Sequence, residues 1–159
     1  MCYNLKEIHI WIDADSCPQM VRNHTVKMGA RLNIQVTFVA NKEIPCPESP
    51  FTMIVCQKEK DAADNYILEH AGENDLVITR DIVFADKLVQ KEICTINDRG
   101  TIFTKENIKP LLSSRDFDLQ LAQMGLSKHF NEGYDKKKFA EFANSFDKTI
   151  HALLKKVNV

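Results

Sequence analysis

The sequence predicts an α/β protein of three layers, in which helices cover both faces of a parallel sheet. Short apolar segments alternate with amphipathic segments through residues 8–96, and this alternation is the pattern of βαβ units. Some of the strand segments are apolar almost throughout, as strands covered on both faces are. The chain has 159 residues, of which 44% are hydrophobic and 27% charged. This length and composition indicate one soluble domain that can bury a sizeable core.

The first strand is predicted in IHIWID (8–13), because isoleucine occupies every second position and marks one face of an extended segment. Pro18 then opens a helix over 18–31 with amphipathic spacing, which ends near Gly29. The next elements alternate regularly: strands at 34–40 and 51–56, a helix at 60–72, a strand at 75–79, a helix at 82–91 and a strand at 93–96.

After the turn sequence NDRG (97–100), the spacing predicts two short helices at 104–112 and 113–125, followed by a linker at 127–135. The last helix begins near residue 136. Its apolar residues recur every three or four positions and are predicted to pack against the sheet: Phe139, Phe142, Phe146, Ile150, Leu153 and Leu154. The prediction is a single domain, with an α/β core over about 1–104 and a C-terminal helical part over about 105–159.

Composition excludes several classes of protein. A net charge of −1 gives no general attraction to nucleic acid, so a polyanion would need a local basic patch and a metal ion. The five cysteines are scattered without a CxxC pair, which argues against a disulfide framework or a zinc site. The sequence shows no signal-peptide pattern and no membrane-length apolar run, so a cytoplasmic location is expected.

Aspartates recur where the predicted strands end or the following helices begin. The members of this group are Asp13, Asp15, Asp61, Asp64, Asp81 and Asp98. In a parallel sheet these positions share one edge, where α/β proteins bind their ligands. Carboxylates gathered without a cation repel one another, so such a cluster usually holds a divalent metal ion. Oxygen ligands without His or Cys favour Mg²⁺ or Mn²⁺, which support phosphoryl chemistry.

Each acid also has a simpler interpretation as a helix cap, a first-turn charge or a turn residue. The same applies to Cys17, which is more typical of a structural cysteine than of a nucleophile. Among the basic residues near the acids, Arg80 and Arg99 are candidates for binding phosphate oxygens.

The segments IWIDADSCP, DAADNYI, DLVITRDI, NDRG and SSRDF, in this order, resemble the YaiI/YqxD family of uncharacterised bacterial proteins. The resemblance covers nearly the whole chain. This family is grouped with PIN-like nuclease domains, so the resemblance implies a PIN-like fold and endoribonuclease-type hydrolysis of single-stranded RNA at an acidic Mg²⁺ or Mn²⁺ site.

Carried over by position, the resemblance implies Asp13, Asp64 and Asp81 as catalytic acids. The implied metal ligands are these three together with Asp15 and Asp61. The expected substrate-binding residues are Ser16, Thr79, Arg80 and Arg99.

The sequence departs from the family pattern at four places. Asn65 stands where a second acid often follows, which puts a second metal ion in doubt. Asn74 replaces a usual glycine, DIVFA lacks the usual proline, and Asp98 stands where proline is common. Asp98 is therefore expected either to serve as a turn residue or to restore part of the missing charge.

Two other functions remain open from the sequence. The DxD of WIDADS and the strand ending in Thr79 also fit a phosphatase of the haloacid dehalogenase type, with Asp13 as nucleophile. The lysine motif and the later acidic pair of those enzymes are missing. The second alternative is a catalytically inactive module that binds RNA or protein.

Overall fold

Six strands form one mixed sheet in the computed structural model, which describes residues 8–45, 51–59, 61–125 and 133–157, apart from the Ser16 side chain. The strands are β1 (His9–Asp13), β2 (Gln35–Ala40), β3 (Thr52–Val55), β4 (Leu76–Ile78), β5 (Cys94–Ile96) and β6 (Ile102–Phe103). Their spatial order is β3-β2-β1-β4-β5-β6. The first five are parallel, and β6 pairs antiparallel with β5 at the edge.

Helices cover both faces of the sheet. They are α1 (Gln19–Leu32), α2 (Ala62–His70), α3 (Ile82–Gln90), α4 (Lys105–Gln123) and α5 (Lys136–Val157), with a short 3₁₀ turn at Ala14–Ser16. One core cluster joins β1 and β2 to α1 and α5, and a second joins the other sheet face to α2 and α3. The predicted three-layer α/β fold is confirmed. Within the described ranges, no helix is both long and apolar enough to cross a membrane.

The central strand β1 carries the alternation that the sequence predicted. Ile10 and Ile12 are fully buried in the α1 and α5 cluster, whereas Trp11 lies in the α2 and α3 cluster. β1 lies between β2 and β4, so the connections leave it in opposite directions. This reversal of strand order opens a crevice at the carboxyl ends of β1 and β4, where α/β folds bind ligands.

The C-terminal helices confirm one prediction and correct another. The apolar stripe of α5 packs in the main core, and Phe142, Phe146 and Ile150 are fully buried. The prediction of two short helices at 104–112 and 113–125 is wrong, because α4 is one helix of 19 residues that contains Pro110. A proline removes one backbone donor, and this single loss does not end a helix that is anchored elsewhere. Part of the predicted linker, 127–132, lies outside the described residues.

The anchor of α4 is at its beginning. Thr104 and Asn107 form a reciprocal capping box, with the Asn107 N–H donating to Thr104 Oγ1 at 3.1 Å. Ile108 is fully buried against α3 and β6.

We expect Pro110→Ala to raise the free energy of unfolding by about 2 kcal/mol, because an exposed helical position regains its backbone donor and the greater freedom of the unfolded chain offsets only part of this gain. Urea unfolding followed by circular dichroism measures the change, and a destabilised variant would contradict the expectation.

Candidate functional site

Three of the predicted acids lie on neighbouring elements at the carboxyl edge of the sheet. Asp13 is the last residue of β1, Asp81 follows β4 and precedes α3, and Asp64 is in the first turn of α2. Their charges interact, because Asp13 and Asp81 both raise the pKa of Asp64. The three acids therefore lie at the edge of the sheet that the sequence predicted for them.

Thr79 joins Asp13 to Asp81. Its buried hydroxyl donates to Asp13 Oδ2 at 3.0 Å and accepts from the Asp81 N–H at 3.1 Å. Thr79 thus fixes the position of the Asp13 carboxylate relative to the start of α3. A direct contact between Thr79 and substrate stays a prediction.

Asp81 is a helix cap as well as a member of the acidic group. Its Oδ1 accepts from the N–H groups of Val83 at 3.0 Å and Phe84 at 3.2 Å. Within the described part of the chain, no hydrogen bond to Asp81 Oδ2 is found. The two interpretations of a strand-end aspartate are therefore compatible, because one oxygen caps α3 and the other is left for a ligand.

Burial and repulsion make Asp13 and Asp64 harder to ionise. The pKa of Asp13 is raised to about 6, chiefly by burial and further by the charges of Asp15 and Asp81, although the Thr79 hydrogen bond lowers it. The pKa of Asp64 is raised to about 7, chiefly by burial and then by Asp13, Asp81 and Asp61. The nearby Lys87 opposes this rise without cancelling it. A divalent cation would relieve this repulsion.

The two remaining acids of the predicted metal set are exposed. Both carboxylate oxygens of Asp15 accept from the N–H of Asn41, at 3.1 and 2.9 Å, which ties the turn after β1 to the end of β2. Asp61 precedes α2 with a positive φ of 64° and makes no capping hydrogen bond. Both act on the buried acids through their charge, and their role as direct metal ligands stays a prediction.

The donor set fits a hydrated ion better than a closed metal cage. Among the described residues, no three His, Cys, Asp or Glu side chains are grouped so that together they could hold a metal ion. Mg²⁺ keeps several water molecules and is often bound through only one or two carboxylates. Buried Asp13 and half-buried Asp64 supply hard oxygen ligands whose charges are uncompensated. We therefore regard a water-filled coordination shell as the arrangement that these residues fit.

Asp75 shows what a purely structural acid looks like in this fold. It lies at the opposite edge of the sheet and is buried. Its Oδ1 accepts from the His9 N–H at 3.0 Å, and its Oδ2 accepts from Trp11 Nε1 at 3.1 Å and the Gly72 N–H at 2.9 Å. Three N–H donors stabilise this carboxylate, whereas among the described residues Asp13 has one side-chain donor and two acidic neighbours. A groove of about 1040 Å³ beside Asp75 lies far from the acidic group.

Arg80 is held by Asp98, which the sequence suggested only as a turn residue or as a replacement charge. Arg80 Nε donates to Asp98 Oδ2 at 3.1 Å, and Arg80 Nη2 donates to the same oxygen. Asp98 is only 3% exposed, so it pairs with Arg80 inside the protein. Arg99 is exposed on the turn after β5, and the Ser16 side chain lies outside the described residues. Substrate contacts of both remain predictions.

The NDRG segment is a hairpin between β5 and β6, and the sequence did not predict β6. Asn97 Oδ1 accepts from the N–H groups of Arg99 and Thr101, each at 2.9 Å, and thereby closes the turn. Gly100 has a positive φ of 86°, which glycine adopts without strain. The signal in the sequence was the turn chemistry of N-D-R-G followed by the β-branched and aromatic residues of TIF.

Cys17 is a structural residue. It is 9% exposed, and burial raises the pKa of its thiol far above its ordinary value, although Arg22 opposes the rise. A thiol that is protonated at neutral pH is a poor nucleophile. This geometry supports the structural interpretation of the DSCP segment.

Comparisons with known proteins agree with these motifs. The sequence profile of the uncharacterised YaiI/YqxD family matches residues 11–152. A protein of Treponema denticola described as "UPF0178 protein" is 46% identical over 92% of this chain and 94% of its own length. Proteins with the same description from Treponema pallidum and Pseudoalteromonas atlantica are 42% and 38% identical. They align with 92% and 89% of this chain and with 83% and 97% of their own lengths. No solved structure matches the chain. The chain therefore belongs to the YaiI/YqxD family.

Proposed function

We propose that this protein is a PIN-like nuclease that hydrolyses phosphodiester bonds in single-stranded RNA and depends on Mg²⁺ or Mn²⁺. The observation that carries the proposal is the placement of Asp13, Asp64 and Asp81, from three separate elements, at one edge of the sheet. Burial and the charges of neighbouring acids raise the pKa of Asp13 and Asp64 there. Acids of this kind in the crevice of an α/β sheet are typical of functional sites.

In the proposed reaction, Asp13, Asp64 and Asp81 would hold the hydrated ion, in part through its water molecules. When bound, the ion polarises the phosphate and the attacking water. Thr79 orients Asp13 through its hydroxyl, and the Asp81 cap fixes the third carboxylate to the start of α3. Arg80 and Arg99 bind phosphate oxygens.

The phosphatase alternative gains no support from the geometry of Asp15. A haloacid dehalogenase mechanism requires the second acid of the DxD to exchange a proton with the substrate. Here both oxygens of Asp15 accept the same backbone N–H of Asn41. Beryllium fluoride mimics an aspartyl phosphate, so a stable adduct on Asp13 would favour the phosphatase over the nuclease.

The direct test is cleavage of a fluorescent single-stranded RNA in Mn²⁺ or Mg²⁺ and in EDTA. We expect slow cleavage with either metal, none in EDTA and none by Asp13→Ala. Asp118→Asn is the matched control, because it removes an exposed acid from α4 and should retain activity. Cleavage that persists in Asp13→Ala would identify a contaminating nuclease. RNA binding without metal-dependent cleavage would favour the inactive binding module.

A further inference from the structure

Asp98 is a buried acid next to the proposed site, and the reaction described above does not use it. It belongs to the hairpin after β5, and 97% of its surface is covered, as follows from its 3% exposure. Its Oδ2 receives both Arg80 hydrogen bonds, whereas its buried Oδ1 has no hydrogen-bond partner among the described residues. An ion pair with a half-exposed arginine contributes little net stability, and an unpartnered buried oxygen costs free energy. Stability alone therefore does not explain why an acid stands at this position.

The backbone around Asp98 is fixed from the C-terminal part of the chain. Tyr134 donates its hydroxyl to the Asp98 carbonyl at 2.6 Å. Ser145 of α5 donates to the Gly100 carbonyl, also at 2.6 Å. Gly100 itself lies against the backbone of Glu141, with no room for a side chain. The hairpin thus holds the Asp98 carboxylate at a defined place beside Arg80.

Arg80 is well placed to reach a substrate at the acidic site. It stands between Thr79, which binds Asp13, and Asp81, which caps α3. Its side chain is 50% exposed although one edge of the guanidinium is held by Asp98. A guanidinium has five N–H donors, of which Asp98 takes two, so three remain for an anion. A fixed guanidinium loses less rotamer entropy when it binds a phosphate than a free one does.

We propose that Asp98 is a positioning residue that holds the Arg80 guanidinium so that it binds a phosphate oxygen of single-stranded RNA. This inference rests on the proposed function, whose acidic site alone would repel the RNA backbone. The hairpin, Tyr134 and α5 serve the site by fixing Asp98. The NDRG segment thereby gains a role in substrate binding that its turn chemistry does not explain.

The test is a double-mutant cycle on binding. The dissociation constant of a short fluorescent oligoribonucleotide is measured by anisotropy in EDTA, where turnover is absent. We expect Arg80→Ala to weaken binding about tenfold, as for the loss of a charge-assisted contact. Asp98→Asn should weaken it about three- to tenfold, because the guanidinium is no longer fixed. Since Asp98 acts through Arg80, the double variant should bind no more weakly than Arg80→Ala.

Control variants separate positioning from changes in charge or folding. Glu92→Gln removes the same charge as Asp98→Asn from an exposed ion pair with Lys105. Arg31→Ala removes an exposed arginine from the last turn of α1, at the opposite edge of the sheet. Both should bind within about twofold of wild type. If Arg80→Ala does not fold, Arg80→Lys takes its place, because lysine keeps a positive charge beside Asp98. Arg80→Lys should weaken RNA binding several-fold because the planar guanidinium is lost.

The outcomes distinguish this inference from the proposed function. An unchanged dissociation constant in Asp98→Asn, or losses that add fully in the double variant, would overturn the positioning role. Wild-type protein that does not bind the oligonucleotide would overturn it as well. Metal-dependent cleavage is measured in a separate experiment and tests the proposed function. Cleavage can persist even if the binding data show that Asp98 does not position Arg80. The expected binding pattern without cleavage supports the positioning role and contradicts hydrolysis.

Discussion

At about pH 8 without metal, Asp13→Asn is expected to raise the free energy of unfolding by about 2 kcal/mol. The pKa of Asp13 is raised from 3.8 to about 6, chiefly by burial, so the folded protein holds this proton more tightly than the unfolded chain does. Above about pH 6 the folded state must carry a disfavoured charge, which asparagine removes. Asparagine keeps a carbonyl oxygen that can accept the Thr79 hydrogen bond.

The sign of this effect depends on pH. Below the unfolded pKa, both states of wild type are protonated, and the advantage of Asp13→Asn disappears. As pH rises through the folded pKa of about 6, wild type loses stability relative to the variant. Asp64→Asn should show the same sign over a range extending to about pH 7, with a smaller effect because Asp64 is half-buried and better screened.

Urea unfolding between about pH 4 and pH 8 measures these differences, with exposed Asp118→Asn as the matched control. Adding Mg²⁺ or Mn²⁺ at the higher pH should stabilise wild type more than Asp13→Asn, because the ion binds the folded acidic site. Equal stability of wild type and Asp13→Asn at every pH would mean that the folded state does not disfavour the charge of Asp13. A metal effect that is identical in both proteins would place the ion elsewhere.

Gly100→Ala is expected to lower the free energy of unfolding by about 3 kcal/mol. The φ of Gly100 is 86°, where an alanine is strained. An added Cβ would also overlap the backbone carbonyl of Glu141, whose carbon lies 2.7 Å away. The hairpin would have to move away from α5, and Asp98 would move with it. RNA binding should therefore weaken together with stability.

Gly125→Ala is the matched control for this variant. Gly125 has a similar positive φ of 73°, but an added Cβ would meet no atom of the described residues within 4 Å. Gly125→Ala should lower the free energy of unfolding by only about 1 kcal/mol, which is the cost of placing an alanine at a positive φ. The difference between the two variants therefore measures the contact of Gly100 with α5. Thermal and urea unfolding give both values. An equal loss of unfolding free energy in the two variants would show that the close approach of Gly100 to Glu141 adds nothing to the cost.

Local patterns in the sequence were sufficient for the layers of this fold. Isoleucine at alternate positions of β1 and the three- and four-residue spacing in α5 report which side of each element faces the core. This information is contained in neighbouring residues. The same holds for the placement of Asp13, Asp64 and Asp81 at one edge, because parallel strands share their direction.

Local patterns failed where a distant contact decides the structure. The local spacing predicted two helices, at 104–112 and 113–125, yet α4 is one continuous helix that is anchored by the Thr104 cap and the burial of Ile108. The two-residue strand β6 is too short to show an alternation of its own. It exists because the NDRG turn brings it beside β5, where pairing supplies its hydrogen bonds.

The sequence by itself determined the fold class, the family and the group of acids at the carboxyl edge of the sheet. Only the tertiary structure decided what each acid does. Asp75 accepts hydrogen bonds from three donors, Asp98 pairs with Arg80, and burial raises the pKa of Asp13. The physical reason is that ionisation depends on burial and on charges brought together from distant segments, which no spacing along the chain records.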